Sequence, residues 1–120
     1  MIIKSKFTIS KSDELSMKYI QLKEAIAKAE RAHGVHELDP STREILQTIA
    51  AANLAETKIR VSDIKNENVY GTLPTVLSRL QKLVNAGFIE RREDADDRRV
   101  VLLQITSKAK TVFKKISKAL

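Results

Sequence analysis

Apolar residues recur along this chain at helical spacing in four stretches, and in two short runs on either side of a polar tip. Over residues 12–32, Leu15, Tyr19, Leu22, Ile26 and Ala29 form one stripe. Asp13 and Glu14 sit in its first turn, and Lys11, Lys18, Lys28 and Arg31 lie opposite. Gly34 supplies the stop. Such a helix is longer than a small core needs; intramolecular packing is the default for its stripe, and part of it is available to another subunit. Asp39-Pro40 opens a second helix with Asp as cap and Pro in the first turn, unless Ser41-Thr-Arg-Glu44 forms a capping box one step later. Ile45, Leu46, Ile49, Ala50 and Leu54 make its buried face. Lys58-Ile59-Arg60 is short and β-like, Ser62-Asp63-Ile64 starts a brief helix, and Asn66-Glu67-Asn68 turns the chain toward Tyr70-Gly71. Residues 72–86 are strongly periodic, with Leu73, Val76, Leu77, Leu80, Leu83 and Val84 on one face, Pro74 in the first turn and Gly87 at the end. Phe88-Ile89 leads into a hairpin, residues 94–99 make its tip, and 100–105 lead out. A last helix runs from Thr106 or Ser107 with Ala109, Val112, Phe113, Ile116 and Leu120 inward and five lysines outward. Residues 1–10 alternate, with Ile3, Phe7 and Ile9 on one side. That suits an edge strand or an arm laid on the body rather than a basic arm tracking DNA.

Charge narrows the function. The 120 residues fit one domain, and 22 basic against 15 acidic side chains give a net charge of +7 and a pI near 9.8. That is the electrostatic footprint of a nucleic-acid binder, although an anionic membrane surface or an acidic partner would also suit it. With no cysteine there is no disulfide, thiolate sensor or Cys-ligated zinc. No apolar run reaches the roughly 18 residues of a membrane span, and Lys4 and Lys6 interrupt any signal peptide. The expected location is the cytoplasm, on the nucleoid. His33 and His36 are separated by Gly-Val at a helix end, which reads as a polar connector rather than a metal site. No nucleophile–base pair, phosphate-cradling glycine loop or metal triad is visible, so neither an enzyme nor a cofactor is expected. Asp94, Asp96 and Asp97 are flanked by Arg91, Arg92, Arg98 and Arg99 and read as charge-balanced residues of a hairpin.

Residues 94–106, D-A-D-D-R-R-V-V-L-L-Q-I-T, carry the most specific signal. Two adjacent arginines on a hairpin tip project planar, permanently charged donors suited to phosphate or to the negative minor groove of DNA. The segment resembles the wing of MarR-type winged helix-turn-helix regulators, which reads roughly D-x-x-D-R-R-x-x-x-L-x-L-T. Asp94, Asp97, Arg98, Arg99, Leu103 and Thr106 match it, and Ile105 replaces a leucine. The element order helix, helix, short strand, short helix, long helix, hairpin, helix is that of the same fold. The resemblance covers the chain from about Leu38 onward. It implies a mainly α protein with a small β-hairpin wing: an N-terminal arm and long helix over 1–37, a winged helix-turn-helix core over 38–106 and a C-terminal helix over 107–120.

In such a domain the helix over 72–86 enters the major groove and its polar face meets base edges. Thr72, Thr75 and Ser78 would contact phosphates or bases, Arg79 would take a guanine bidentately, and Lys82 and Lys65 would neutralise the backbone. Solvated charge and simple capping are equally good readings of any one of these residues. Many relatives place a Thr-Arg pair where this chain has Leu77-Ser78, so base-reading roles do not transfer. In the wing, spanning 91–99, the resemblance implies that Arg99 reaches the minor groove, Arg98 touches phosphate or braces the wing, and Arg92 supports the contact. Asp97 and Asp94 would orient these guanidiniums.

The partners expected are double-stranded DNA and a second copy of the chain. MarR-type proteins commonly continue into a further dimerising helix, whereas this sequence stops at Leu120. The first helix and residues 113–120 would then make a reduced interface. A small-molecule effector is frequent in the family and needs a cleft that the sequence does not identify. The leading function is a transcriptional regulator, most often a repressor by promoter occlusion. A winged-helix module for protein–protein assembly, and a replication, partition or architectural DNA-binding protein of a mobile element, are the alternatives.

Overall fold

The computed structural model describes residues 10–67 and 69–118. The arm expected over 1–10, apart from Ser10, and the inward Leu120 lie outside them. The element order is α1 (Lys11–Ala32), a 3-10 turn (Val35–Glu37), α2 (Pro40–Leu54), α3 (Val61–Asn66), α4 (Leu73–Asn85), β1 (Ile89–Glu93), β2 (Val101–Ile105) and α5 (Ser107–Ser117). The mainly α architecture with one hairpin agrees with the sequence pattern.

Local chemistry sets the boundaries. Ser10 caps α1 by accepting from the Asp13 amide at 3.1 Å, and Gly34 adopts φ +79° just beyond its end. Asp39 caps α2 by accepting from the Thr42 amide at 2.7 Å, with Pro40 in the first turn. Of the two starts open in the sequence, the Asp-Pro start is the one adopted. At the end of α4, the Gly87 amide bonds to the Val84 carbonyl and the Phe88 amide to the Leu83 carbonyl, both at 3.0 Å. This is a Schellman motif, with Gly87 at φ +80° and both Phe88 and Leu83 buried. Lys108 adds its ammonium to the Ala86 carbonyl at 2.7 Å and lies 4.6 Å from the Phe88 ring centroid. Thr106 then joins three elements: it caps α5 through the Ala109 amide, donates its hydroxyl to the Gly87 carbonyl, and bonds its amide to the Phe88 carbonyl.

One core collects Ile45, Ile49, Ile64, Leu80, Leu83 and Phe88, all essentially without exposure, under Leu103 and Ile105 of the sheet. Three expected core leucines are outside it. Leu54 is 69% exposed because it sits in the last turn of α2, beyond the core's edge. Leu73 and Leu77 are 43% and 42% exposed, because the buried arc of α4 centres on Val76, Leu80 and Leu83. In α1 only Ala29 is buried. Leu15 and Tyr19 are exposed, so the first half of the stripe has no intramolecular cover among the described residues. Its second half packs against α5, encloses an apolar cavity of about 260 Å³ with Phe88 and Phe113, and is tied to α2 by Glu30 and Arg43 at 3.5 Å.

The two strands pair antiparallel with Ile89 opposite Ile105 and Glu93 opposite Val101. The second edge of β2 is also occupied. Ile59 accepts from the Leu103 amide at 2.9 Å, and Arg60 bridges to Leu102, so the β-like 58–60 segment makes an isolated β-bridge along that edge. Farther along, the Asn53 side chain replaces a strand: its amide donates to the Leu103 carbonyl at 3.2 Å and its oxygen accepts from the Ile105 amide at 2.7 Å. Asn53→Ala leaves both backbone groups unpaired in a partly buried site, so urea denaturation should show a loss of about 1–3 kcal/mol. A stability equal to the parent's would mean that water replaces the side chain there.

Candidate nucleic-acid interface

Helices α3 and α4, with the turn between them, form the helix-turn-helix. The Asp63 carboxylate accepts from the Arg60 amide at 2.8 Å and closes the start of α3. Ile64 anchors it in the core, and its Lys65 is exposed. In the turn, Gly71 has φ +98°, and a Cβ there would meet Thr75 Cγ2 at 3.2 Å. The position therefore favours glycine for its backbone, and a Cβ would also press on the Thr75 methyl. On α4, Ser78 and Lys82 are exposed and Thr75 is half-buried, with its hydroxyl 3.1 Å from that of Thr72. Thr72 stands at the cap position without a side-chain bond to the helix amides.

Arg79 does not stand out from the helix as a free fork. Its Nη1 donates to the Tyr70 carbonyl at 2.6 Å, and its Nε lies 3.9 Å from Asp39 Oδ2. Tyr70 is buried and its hydroxyl lies 3.1 Å from Thr48 Oγ1 on α2. The amide of Thr42, donating at 2.7 Å, and the charges of Arg79 and Lys82 hold the Asp39 carboxyl below the usual carboxylate range. It is ionised near neutrality and faces the guanidinium as a full charge. Turning Arg79 toward a base would strip the Tyr70 carbonyl of its donor, at about 1–3 kcal/mol. A bidentate arginine–guanine contact returns about the same.

The wing tip is closed by backbone bonds: the Asp94 amide donates to the Val100 carbonyl and the Val100 amide to the Asp97 carbonyl, both at 3.0 Å. Asp97 accepts from Arg99 Nε at 3.1 Å, Nη2 at 3.3 Å and the backbone amide at 3.1 Å. The Arg99 side chain is nonetheless 91% exposed, so it is oriented yet open to a partner. Arg98 is exposed and has no ion pair among the described residues. Arg92 pairs with Glu90 on its own strand at 2.9 Å. Asp94 departs from expectation: it orients no arginine. Its Oδ1 accepts from Lys58 Nζ at 2.9 Å and from the Asp96 amide at 3.0 Å, and Lys58 also reaches Asp96 at 2.9 Å. The reason is placement, since the 58–60 segment runs beside β2 and carries Lys58 to the base of the tip.

Four side chains beyond the site residues expected from the sequence thus position this surface: Asn53, Lys58, Tyr70 through its hydroxyl, and Arg91, whose Nη1 donates to Gln81 of α4 at 3.0 Å. Each pairs with a residue at least nine positions away, and no local motif signals such pairs. His33 and His36 lie at the end of α1 and in the 3-10 turn, and no group of three or more His, Cys, Asp or Glu able to hold a metal occurs among the described residues. No helix among them is long and apolar enough to cross a membrane.

The sequence matches the winged helix DNA-binding domain family over residues 38–109. The chain belongs to that family. No curated protein matches it. Among solved structures, the fold is shared with MarR-type regulators. Transcriptional regulator Tm0710 of Thermotoga maritima is 24% identical, with 90% of this chain and 70% of that one covered at a TM-score of 0.62. A point mutant of S. aureus MepR, bound to an oligodeoxyribonucleotide, is 20% identical over 92% of this chain and 76% of its own, with a TM-score of 0.61. A point mutant of E. coli MarR, complexed with operator DNA, is 19% identical over 87% and 66%, with a TM-score of 0.57.

The wing pairs have a defined pH behaviour. The Asp96 amide, and then Lys58, lower the Asp94 pKa, and Arg99 lowers that of Asp97, both from 3.8. A depressed folded-state value gives stabilisation that is present above the unfolded pKa and lost as pH falls through the folded one. Amide exchange in the wing, corrected for its intrinsic pH dependence, should therefore be constant from about pH 5 to 8 and rise only in strong acid. Lys58→Ala should speed exchange over residues 94–100 at neutral pH while leaving α2 unchanged. Equal wing exchange in the variant and the parent would show that Lys58 does not hold the tip.

Proposed function

We propose that this winged-helix protein is a sequence-specific regulator of transcription that binds double-stranded DNA as a homodimer and represses by occupying promoter DNA. The observation that carries the reading is the wing: two exposed arginines at a tip whose base is fixed to the body by Lys58 and whose outgoing strand is paired on both edges. A charged donor held in place loses little freedom on meeting a phosphate or a minor groove. Helix α4 presents Thr72, Thr75, Ser78 and Lys82 to the major groove, while Arg98, Arg99 and Arg92 serve the flanking backbone and minor groove. MepR and MarR, which share the fold, are each known in complex with DNA, which supports DNA as the partner. The site of action is the nucleoid in the cytoplasm.

The exposed Leu15 and Tyr19 support the dimer, because they extend a stripe whose inner half is already packed. The 260 Å³ cavity between α1, α2 and α5 is the space that an apolar effector would use, since its lining is almost wholly apolar.

Arg99→Ala should weaken binding to a preferred duplex by about 1–3 kcal/mol, or roughly 5- to 150-fold, and reduce the slope of log K against log salt by about 1. Fluorescence anisotropy at several salt concentrations reads both. Unchanged affinity and slope in a folded variant would remove the wing from the interface. Binding to an acidic protein but to no duplex would favour the protein–protein role.

A further inference from the structure

We propose that Arg79 is a positioning residue that sets the pose of the recognition helix, and that it reads no base. The inference rests on the DNA-binding reading above and assigns one residue within it. The guanidinium joins three parts of the fold. It starts on α4, donates to the Tyr70 carbonyl in the α3–α4 turn at 2.6 Å, and faces the Asp39 carboxylate that caps α2 at 3.9 Å. Tyr70 carries the same link onward through its hydroxyl to Thr48 in the middle of α2. The turn is thus held at two points on α2, fifteen residues of rigid helix. Gly71 lies beside this contact: a Cβ there would be in ordinary contact with Arg79 Nη1 at 3.7 Å and would press on Thr75 Cγ2 at 3.2 Å.

Bidentate reading of a guanine uses two parallel donors on one edge of the guanidinium. Here Nη1 is committed to a carbonyl of a buried residue, and an ionised carboxylate 3.9 Å from Nε attracts the fork without a hydrogen bond. Turning the fork to a base would break the Nη1 bond, the contact that orients the helix for every other base contact. Reading then falls to Thr75, Ser78 and Lys82, which line the same shallow surface depression as Arg79 and Asp39.

The test uses the full chain and two duplexes, one enriched by the wild-type protein from a random pool and one of unrelated sequence. Arg79→Met keeps the length and removes the donors; Arg79→Lys keeps one charged donor. The inference predicts that Met lowers affinity for the enriched duplex by at least about tenfold, the scale of one lost base-pair contact. Affinity for the unrelated duplex should change less than about twofold. Lys should recover most of the loss, and a selection repeated with the Met variant should return the wild-type sequence. Preference relaxed at a single G·C pair, with Lys no better than Met, would make Arg79 a base reader and overturn the inference. Unchanged affinity for both duplexes in both variants would also overturn it.

Hydrogen exchange of the Tyr70–Thr72 amides in the free protein supplies a readout that needs no DNA. It should rise in the Met variant and recover with Lys, and unaltered exchange overturns the inference. If the wild-type protein enriches no duplex, the DNA-binding reading fails by itself, and this exchange still decides whether Arg79 holds the turn. If the Met variant does not fold, the Lys variant alone decides, by retaining or losing the wild-type sequence preference.

Discussion

Strand β2 is paired on both sides, and the rest of the surface depends on that. A two-stranded hairpin alone is marginal in water, and its free edge invites other chains. Here β1 takes one edge while Ile59, Arg60 and the Asn53 side chain take the other. The sheet becomes part of the core, with Leu103 and Ile105 buried against the helices. Because Asn53 projects from α2 and Ile59 precedes α3, the same bonds fix the wing relative to the helix-turn-helix. The Schellman motif at Gly87 sets the direction in which α4 hands over to β1, and Thr106 locks that corner to α5.

Charge is distributed over this scaffold with a consistent logic. Four acids near the wing and the recognition helix are paired: Asp94 and Asp96 with Lys58, Asp97 with Arg99, and Asp39 opposite Arg79. Standing at or near the surface, such pairs contribute little stability. Their larger effect is orientation, since each holds a cation in a set direction and keeps a carboxylate from facing a polyanion unpaired. The excess of seven positive charges over the chain remains available for long-range attraction of nucleic acid.

Much of this is legible in the sequence where chemistry is local. The Asp39-Pro40 start, the Gly34 and Gly87 stops, the amphipathic stripe of α4 and the hairpin tip at 94–99 all follow from contacts within about five residues. The Asp97–Arg99 pairing belongs to the same class. Periodicity does not say where a buried face ends, so Leu54, Leu73 and Leu77 read as inward although the core stops short of them. Nor does it show that Leu15 and Tyr19 stand exposed. The links that position the site join distant segments: Lys58 to Asp94, Asn53 to Ile105, Tyr70 to Thr48. A lysine, an asparagine and a tyrosine at those spacings carry no periodic or motif signal. The contact of Arg79 is hidden for the same reason, because its carbonyl acceptor belongs to the backbone and is invisible in side-chain patterns.

The central claim is that a fixed wing and an oriented α4 together read duplex sequence. Selection of bound molecules from a random duplex pool at about 0.15 M salt, where screening shortens electrostatic reach to roughly 8 Å, tests it most directly. The account predicts an enriched inverted repeat with half-sites about one helical turn apart, matching a two-fold dimer. Binding that enriches no sequence, or no binding at all, would contradict it.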